Sequence, residues 1–155
     1  MPKLLYLEAS PRKEGSHSID IANEFMESYR EYHPTDEIEV VNIWELNLPA
    51  VNGELLEARY AITNGREFTI EQETAWKQVL QVFEIFNSAT KYLFSVPMWN
   101  FGIPYRLKHF IDVVTQPGLA FSFYPESNYR GLITGRPASI VYARGGEYGI
   151  ESGVE

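Results

Sequence analysis

Three short stretches of this chain carry more polar and aromatic chemistry than packing requires. The first holds Ser10, Ser16 and Ser18, with His17 between the last two. Ser16 to Ser18 fall where a helix must begin. A helix N-terminus offers free N–H groups and partial positive charge, which attract a phosphate without many cations. Plain capping by serine is the alternative use of the same residues. Arg12 either adds a charge-assisted contact there or is a solvated loop arginine. The second stretch is Pro97-Met98-Trp99-Asn100-Phe101-Gly102-Ile103-Pro104. Met98 is polarisable, Trp99 and Phe101 are flat and apolar, and Asn100 brings amide donors and an acceptor. Such a loop suits the flank of a planar ring, or else a surface aromatic cluster. The third is Ala143-Arg144-Gly145-Gly146. Its glycines permit close backbone approach, and successive N–H groups can cradle an anion; a plain turn is the simpler alternative.

Each stretch follows an apolar run that reads as a strand: Lys3 to Leu7, Lys91 to Val96 and Ala138 to Tyr142. Runs without polar alternation suit central parallel strands covered on both faces. A helix is expected from about Ser16 to Tyr32, with Ile19, Ala22, Phe25, Met26 and Tyr29 on one face. Glu37 to Ile43 alternates, as an edge strand does. The segment from Trp44 to Phe68 is irregular apart from a short helix near Glu54 to Tyr60. Thr69 and Gln72 have the spacing of a capping box that opens a helix to about Asn87, with Ala75, Trp76, Val79, Phe83 and Phe86 inward. Pro104 is placed at the first helical position of a last helix, where its missing N–H costs nothing, with Leu107, Phe110, Ile111 and Val114 buried. Phe121 and Phe123 are expected on a small excursion off the main sheet. Strands and helices alternate throughout, which implies one α/β domain over residues 1–155 with a parallel sheet and right-handed crossovers. In such a sheet the three loops emerge on one rim, where open α/β sheets bind ligands.

Composition removes several functions. The 155 residues are 45% hydrophobic and carry a formal net charge of −8, which argues against nucleic acid and anionic membranes as partners. There is no cysteine, so thiolate catalysis and disulfides are excluded. The apolar run Leu4 to Leu7 is too short for a signal peptide or a membrane span, and a cytoplasmic protein is expected. Neither the glycine-rich nucleoside-triphosphate loop nor GxGxxG occurs, so the phosphate expected at Ser16 is a single terminal one. His17 lies among the serines, His33 at an exposed helix end and His109 on a solvated helix face. None has the partner of a catalytic dyad, and no metal-ligand spacing is present. Glu71 and Glu73 read as a solvated helix face.

Taken together, Ser10-Pro11-Arg12 with Ser16-His17-Ser18, Pro97 to Phe101 with Leu107-Lys108 and Asp112, and Arg144-Gly145-Gly146 resemble the FMN-dependent NADH azoreductase and quinone reductase family of the flavodoxin-like superfamily. The resemblance implies a doubly wound parallel sheet of strand order 2-1-3-4-5. Only four of those strands are visible, so a fifth strand and a last helix, roughly 40–60 residues, are expected beyond residue 155. It further implies that Ser10, Ser16, His17 and Ser18 hold the FMN phosphate. Met98, Trp99, Asn100 and Phe101 would contact the isoalloxazine. Ala143, Arg144, Gly145 and Gly146 would reach its pyrimidine end, where the reduced ring is negative. Phe123 would border the substrate space of a homodimer whose sites are completed by the partner subunit. NADH or NADPH would donate hydride and a quinone or azo compound would accept two electrons in a ping-pong cycle, with no catalytic side chain because the flavin N5 carries the chemistry. Many family members have Tyr where Trp99 stands. A flavodoxin-type electron carrier and a flavin-free binding module are the alternatives on the same fold.

Overall fold

The structure is a computed structural model and describes residues 1–126 and 128–148. Four parallel strands form the main sheet: β1 (Lys3–Glu8), β2 (Glu37–Asn42), β3 (Lys91–Pro97) and β6 (Ala138–Ala143), in the order β2-β1-β3-β6. The strands β4 (Phe121–Tyr124) and β5 (Asn128–Gly131) pair antiparallel in a separate hairpin, the excursion expected from the sequence. The helices are α1 (His17–Tyr32), α2 (Gly53–Thr63), α3 (Ile70–Asn87) and α4 (Tyr105–Val114).

Strand alternation divides the core in two. Leu4, Tyr6 and Leu93 point to one face and bury against Ala22, Met26 and Tyr29 of α1. Leu5, Leu7, Tyr92 and Val96 point to the other and bury against Trp76, Val79 and Phe83 of α3 and Leu107, Phe110 and Val113 of α4. Each strand of β1 and β3 is therefore apolar on both sides, which is why neither shows a polar period. The Tyr6 hydroxyl donates to Ser95 Oγ at 3.0 Å, and burial pushes its pKa up to about 12. β6 lies at the sheet edge among the described residues, with Ile140 65% exposed.

Helix starts follow local chemistry. Thr69 and Gln72 form the expected capping box, with both bonds present. Pro104, expected at the first helical position, is instead the N-cap of α4 with φ −55° and ψ 138°. Its ring excludes any N–H donor, but its carbonyl accepts the first helical bonds from Leu107 and Lys108. Two inward assignments also change. Phe25 is 38% and Ile111 37% exposed, while Val113 is fully buried. Both exposed residues lie at the flank of an apolar stripe, where the neighbouring element rather than the helical period decides burial.

Candidate active site

The start of α1 keeps its donors unspent. Ser16 occupies the N-cap position with φ −97°, yet its side chain makes no capping bond. Its hydroxyl instead lies 3.3 Å from that of Ser18. The N–H groups of His17 and Ser18 stand in the first turn, which has no intrahelical acceptors, and they make no hydrogen bond among the described residues. A cap worth about 1 kcal/mol is thus forgone. Ser10, Ser16 and Ser18 are all buried, and a buried hydroxyl is normally fully bonded. Ser10 Oγ is tied at 3.3 Å to the backbone of Arg12. Gly15 has φ +69°, and a Cβ there would meet the Arg12 guanidinium at 2.9 Å. Glycine therefore lets Arg12 fold across the loop.

The turn after β3 is tight and strained. Trp99 and Gly102 exchange two backbone bonds of 2.9 Å around Asn100 (φ 47°) and Phe101 (φ 60°). Two positive φ values define the I′ geometry, which normally selects Asn followed by Gly. Asn100 suits its place; Phe101 costs of order 1–3 kcal/mol there. The Met98 N–H donates to the Ala143 carbonyl at 2.8 Å, which joins this turn to the end of β6. The Tyr142 hydroxyl adds a bond to the Gly102 carbonyl at 3.3 Å. Beyond β6, the Arg144 guanidinium lies 5.9 Å from the Tyr148 ring, which also meets Phe101 edge-on at 5.3 Å.

Between the three loops lies a cleft of about 560 Å³. Ser10, Ser16, His17, Ser18, Trp99, Ala143, Arg144 and Gly145 line it, together with Pro11, Arg12, Gly15, Ile21, Pro97 and Tyr142. Met98, Asn100, Phe101 and Gly146 lie on the same loops without lining it. Phe123 is on the β4–β5 hairpin, 53% exposed and packed on Tyr129 at 5.0 Å. Among the described residues, two arginines and no carboxylate line the cleft, in a chain of net charge −8. That segregation favours an anionic ligand. One wall is flat, made by Trp99, Pro97 and Tyr142.

Two other clefts of similar size lack these donors. One, between α4 and the outer face of β6, is almost wholly apolar. The other, beside α1, contains Lys91, whose ammonium is already bonded to Asp36 and Tyr29. His109, expected in solvent, is partly buried with Nε2 2.8 Å from the Pro49 carbonyl. The irregular segment after β2 folds back onto α4, which the helical period of α4 could not reveal. Sequence motifs also passed over Tyr142 and Trp44. Trp44 lies in that same segment, 5.8 Å from Trp99 between ring centroids. Its type alone, a tryptophan in an irregular segment, was the available signal.

The chain is similar to known proteins along almost its whole length. The family described as having a flavodoxin-like fold matches residues 2–154. An FMN-dependent NADH:quinone oxidoreductase of Desulfotalea psychrophila is 47% identical over 148 residues, covering 96% of this chain and 70% of that protein. One from Burkholderia lata is 42% identical over 145 residues, covering 94% of this chain and 69% of that protein. The crystal structure of an azoreductase from Bacillus anthracis superposes with a TM-score of 0.87 at 30% identity, covering 96% of this chain and 71% of that one. An FMN-dependent NADH-azoreductase from Bacillus anthracis in complex with FMN superposes with a TM-score of 0.85 at 29% identity, covering 97% and 73%. By the family model over residues 2–154 and by relatives matched over two thirds or more of their own length, the chain belongs to the flavodoxin-like family of FMN-dependent NADH:quinone oxidoreductases and azoreductases.

Proposed function

We propose that residues 1–155 belong to one FMN-binding domain of an NADH-dependent oxidoreductase that reduces quinones and azo compounds. The carrying observation is the cleft in which three buried serines and two unpaired helical N–H groups meet a flat aromatic wall. The residues present fit FMN. A terminal phosphate satisfies the hydroxyls of Ser10, Ser16 and Ser18 and the N–H groups of His17 and Ser18 that lack acceptors. The wall at Trp99 suits a tricyclic ring. The backbone of Ala143 to Gly146 suits its pyrimidine end, which is negative in the reduced ring, and Arg144 adds positive charge.

Bound FMN supplies two-electron hydride chemistry, accepting from a reduced nicotinamide and giving to a quinone or azo acceptor. The chain's own groups place and polarise. The α1 N-terminus and the serines anchor the phosphate. Trp99 fixes the ring plane and keeps water from one side. The Gly145 N–H at the cleft, in the turn that Gly146 completes, would favour negative charge on a bound ring and so its reduction. Met98, Asn100 and Phe101 set the height of the turn that carries Trp99. Donor and acceptor use the open side of the cleft in turn. A second copy completes each site in a homodimer, and Phe123 on the exposed hairpin borders the acceptor space. A cytoplasmic location is the reading taken from the short apolar run Leu4 to Leu7; among the described residues no helix is long and apolar enough to cross a membrane.

An absorbance spectrum of the purified protein tests this reading. A bound-flavin spectrum that bleaches on adding NADH under argon, and recovers with one equivalent of menadione, is expected. A colourless protein that takes up no FMN refutes it. Recovery in one-electron steps would favour a carrier instead.

A further inference from the structure

The turn after β2, residues 43–49, packs behind two of the cleft's loops, from a strand that none of the three motifs includes. Trp44 is its key side chain. Its indole Nε1–H donates to the Ala9 carbonyl at 3.0 Å, immediately before Ser10. Its ring lies 5.8 Å from Trp99, tilted by 46°, and meets Tyr105 edge-on at 5.3 Å. One residue therefore touches both the turn that carries a phosphate-side serine and the ring that forms the flat wall. It does not line the cleft, so it acts through these neighbours.

The turn is itself held from α4. Arg106 Nε donates to the Ile43 carbonyl at 3.0 Å, and its guanidinium also bonds to the Leu46 carbonyl. His109 Nε2 pairs with the Pro49 carbonyl at 2.8 Å. The Trp44 N–H donates to Asn42 Oδ1 at 3.1 Å. Backbone and side chain of Trp44 are both fixed, as a residue that must orient others requires.

We infer that Trp44 is a positioning residue for FMN, holding the Ala9–Ser10 turn by its N–H and the Trp99 ring by a tilted ring contact. This rests on the FMN reading above. The two functions are separable, because the N–H serves the phosphate side and the ring serves the isoalloxazine side.

The test titrates apoprotein of the full chain with FMN and with riboflavin, following flavin fluorescence. Trp44→Phe keeps a ring and loses the N–H. FMN affinity is expected to fall about tenfold and riboflavin affinity less than about threefold. Trp44→Leu loses the ring as well, and both ligands weaken. Equal losses of both ligands in Trp44→Phe, or FMN affinity within about twofold of the parent, overturn the inference. Arg106→Lys is the second variant: it loosens the 43–46 turn without touching the cleft and is expected to cost about threefold in FMN affinity with riboflavin retained. If Trp44→Phe does not give a cooperative melt, that variant decides, and unchanged FMN binding in it overturns the inference. A parent chain that binds neither flavin refutes the FMN reading itself, whereas a parent that binds FMN beside unaffected variants refutes only the role of Trp44.

Discussion

The two ends of the parallel sheet are built on opposite terms. Where the strands begin, charges are closed upon one another. Lys3 reaches Glu37 and Glu39, at 3.3 and 2.5 Å. Lys91 donates to the Tyr29 hydroxyl and to Asp36 at 2.8 and 2.9 Å, and Tyr29 donates to Asp36 at 2.5 Å. The hydrogen bond from Tyr29, and then that from Lys91, hold the Asp36 carboxyl below its usual range. The bond to Tyr29, and then that to Asp36, raise the Lys91 ammonium. Where the strands end, donors are held open. Ser16 leaves its capping bond unmade, two helical N–H groups have no partner among the described residues, and Phe101 sits at a φ that suits glycine. The same strands thus invest one end in stability and the other in binding. The binding end gives up local stability because a ligand must supply what the chain withholds.

That contrast can be broken from either end. The largest effect is expected at the open end. Ser16→Ala with Ser18→Ala removes two hydroxyl bonds to a charged phosphate, at roughly 1.5 kcal/mol each, so FMN affinity falls about 100-fold. Riboflavin affinity and the thermal midpoint change little; titration of apoprotein with both flavins, beside a melt, reads the difference. Equal losses for both flavins would remove the phosphate assignment. At the closed end the outcome reverses. Lys91→Met leaves Asp36 with the Tyr29 hydroxyl and, at 3.9 Å, His33 Nδ1, so Tm drops by several degrees while FMN affinity stays within about twofold of the parent. A matching loss of FMN affinity would show that the two ends are not independent.

The pH response should separate the ends as well. Asp36 has a lowered native pKa, so the unfolded state binds the extra proton first and stability rises with pH through that window. Its contribution is complete above the ordinary carboxylate value of about 3.9 and is lost as pH falls through the lower native value. Urea midpoints measured from about pH 5 down to about pH 2 should therefore decline less steeply in Asp36→Asn than in the parent. Parallel declines would contradict the closed network. The smallest expected effect lies in the strained turn. Asn100→Gly keeps a residue that tolerates φ 47°, whereas Asn100→Ala does not, and the two should differ by about 1 kcal/mol in stability. If the Asn100 amide contacts flavin, both weaken FMN binding; if it only shapes the turn, Ala alone does. Calorimetry with and without FMN distinguishes these.

Much of this was legible in one dimension because it is local. The apolar runs of β1, β3 and β6, the capping box at Thr69 and Gln72, and the serines at the start of α1 each follow from neighbouring residues and elementary backbone chemistry. Their order along the chain is enough to place three loops on one rim, since parallel strands with right-handed crossovers leave no other arrangement. What the chain order could not contain is which surfaces meet. Phe25 and Ile111, expected inward, are exposed because burial at the edge of a stripe depends on the opposing element. His109 found a carbonyl 60 residues away. Trp44, in a segment without periodicity, became the neighbour of both Ala9 and Trp99. Sequence determined the strands, the helix starts and the donors of the site, because those depend on residues a few positions apart. Tertiary structure alone decided what supports that site, because a hydrogen bond between distant segments exists only after packing has brought them together.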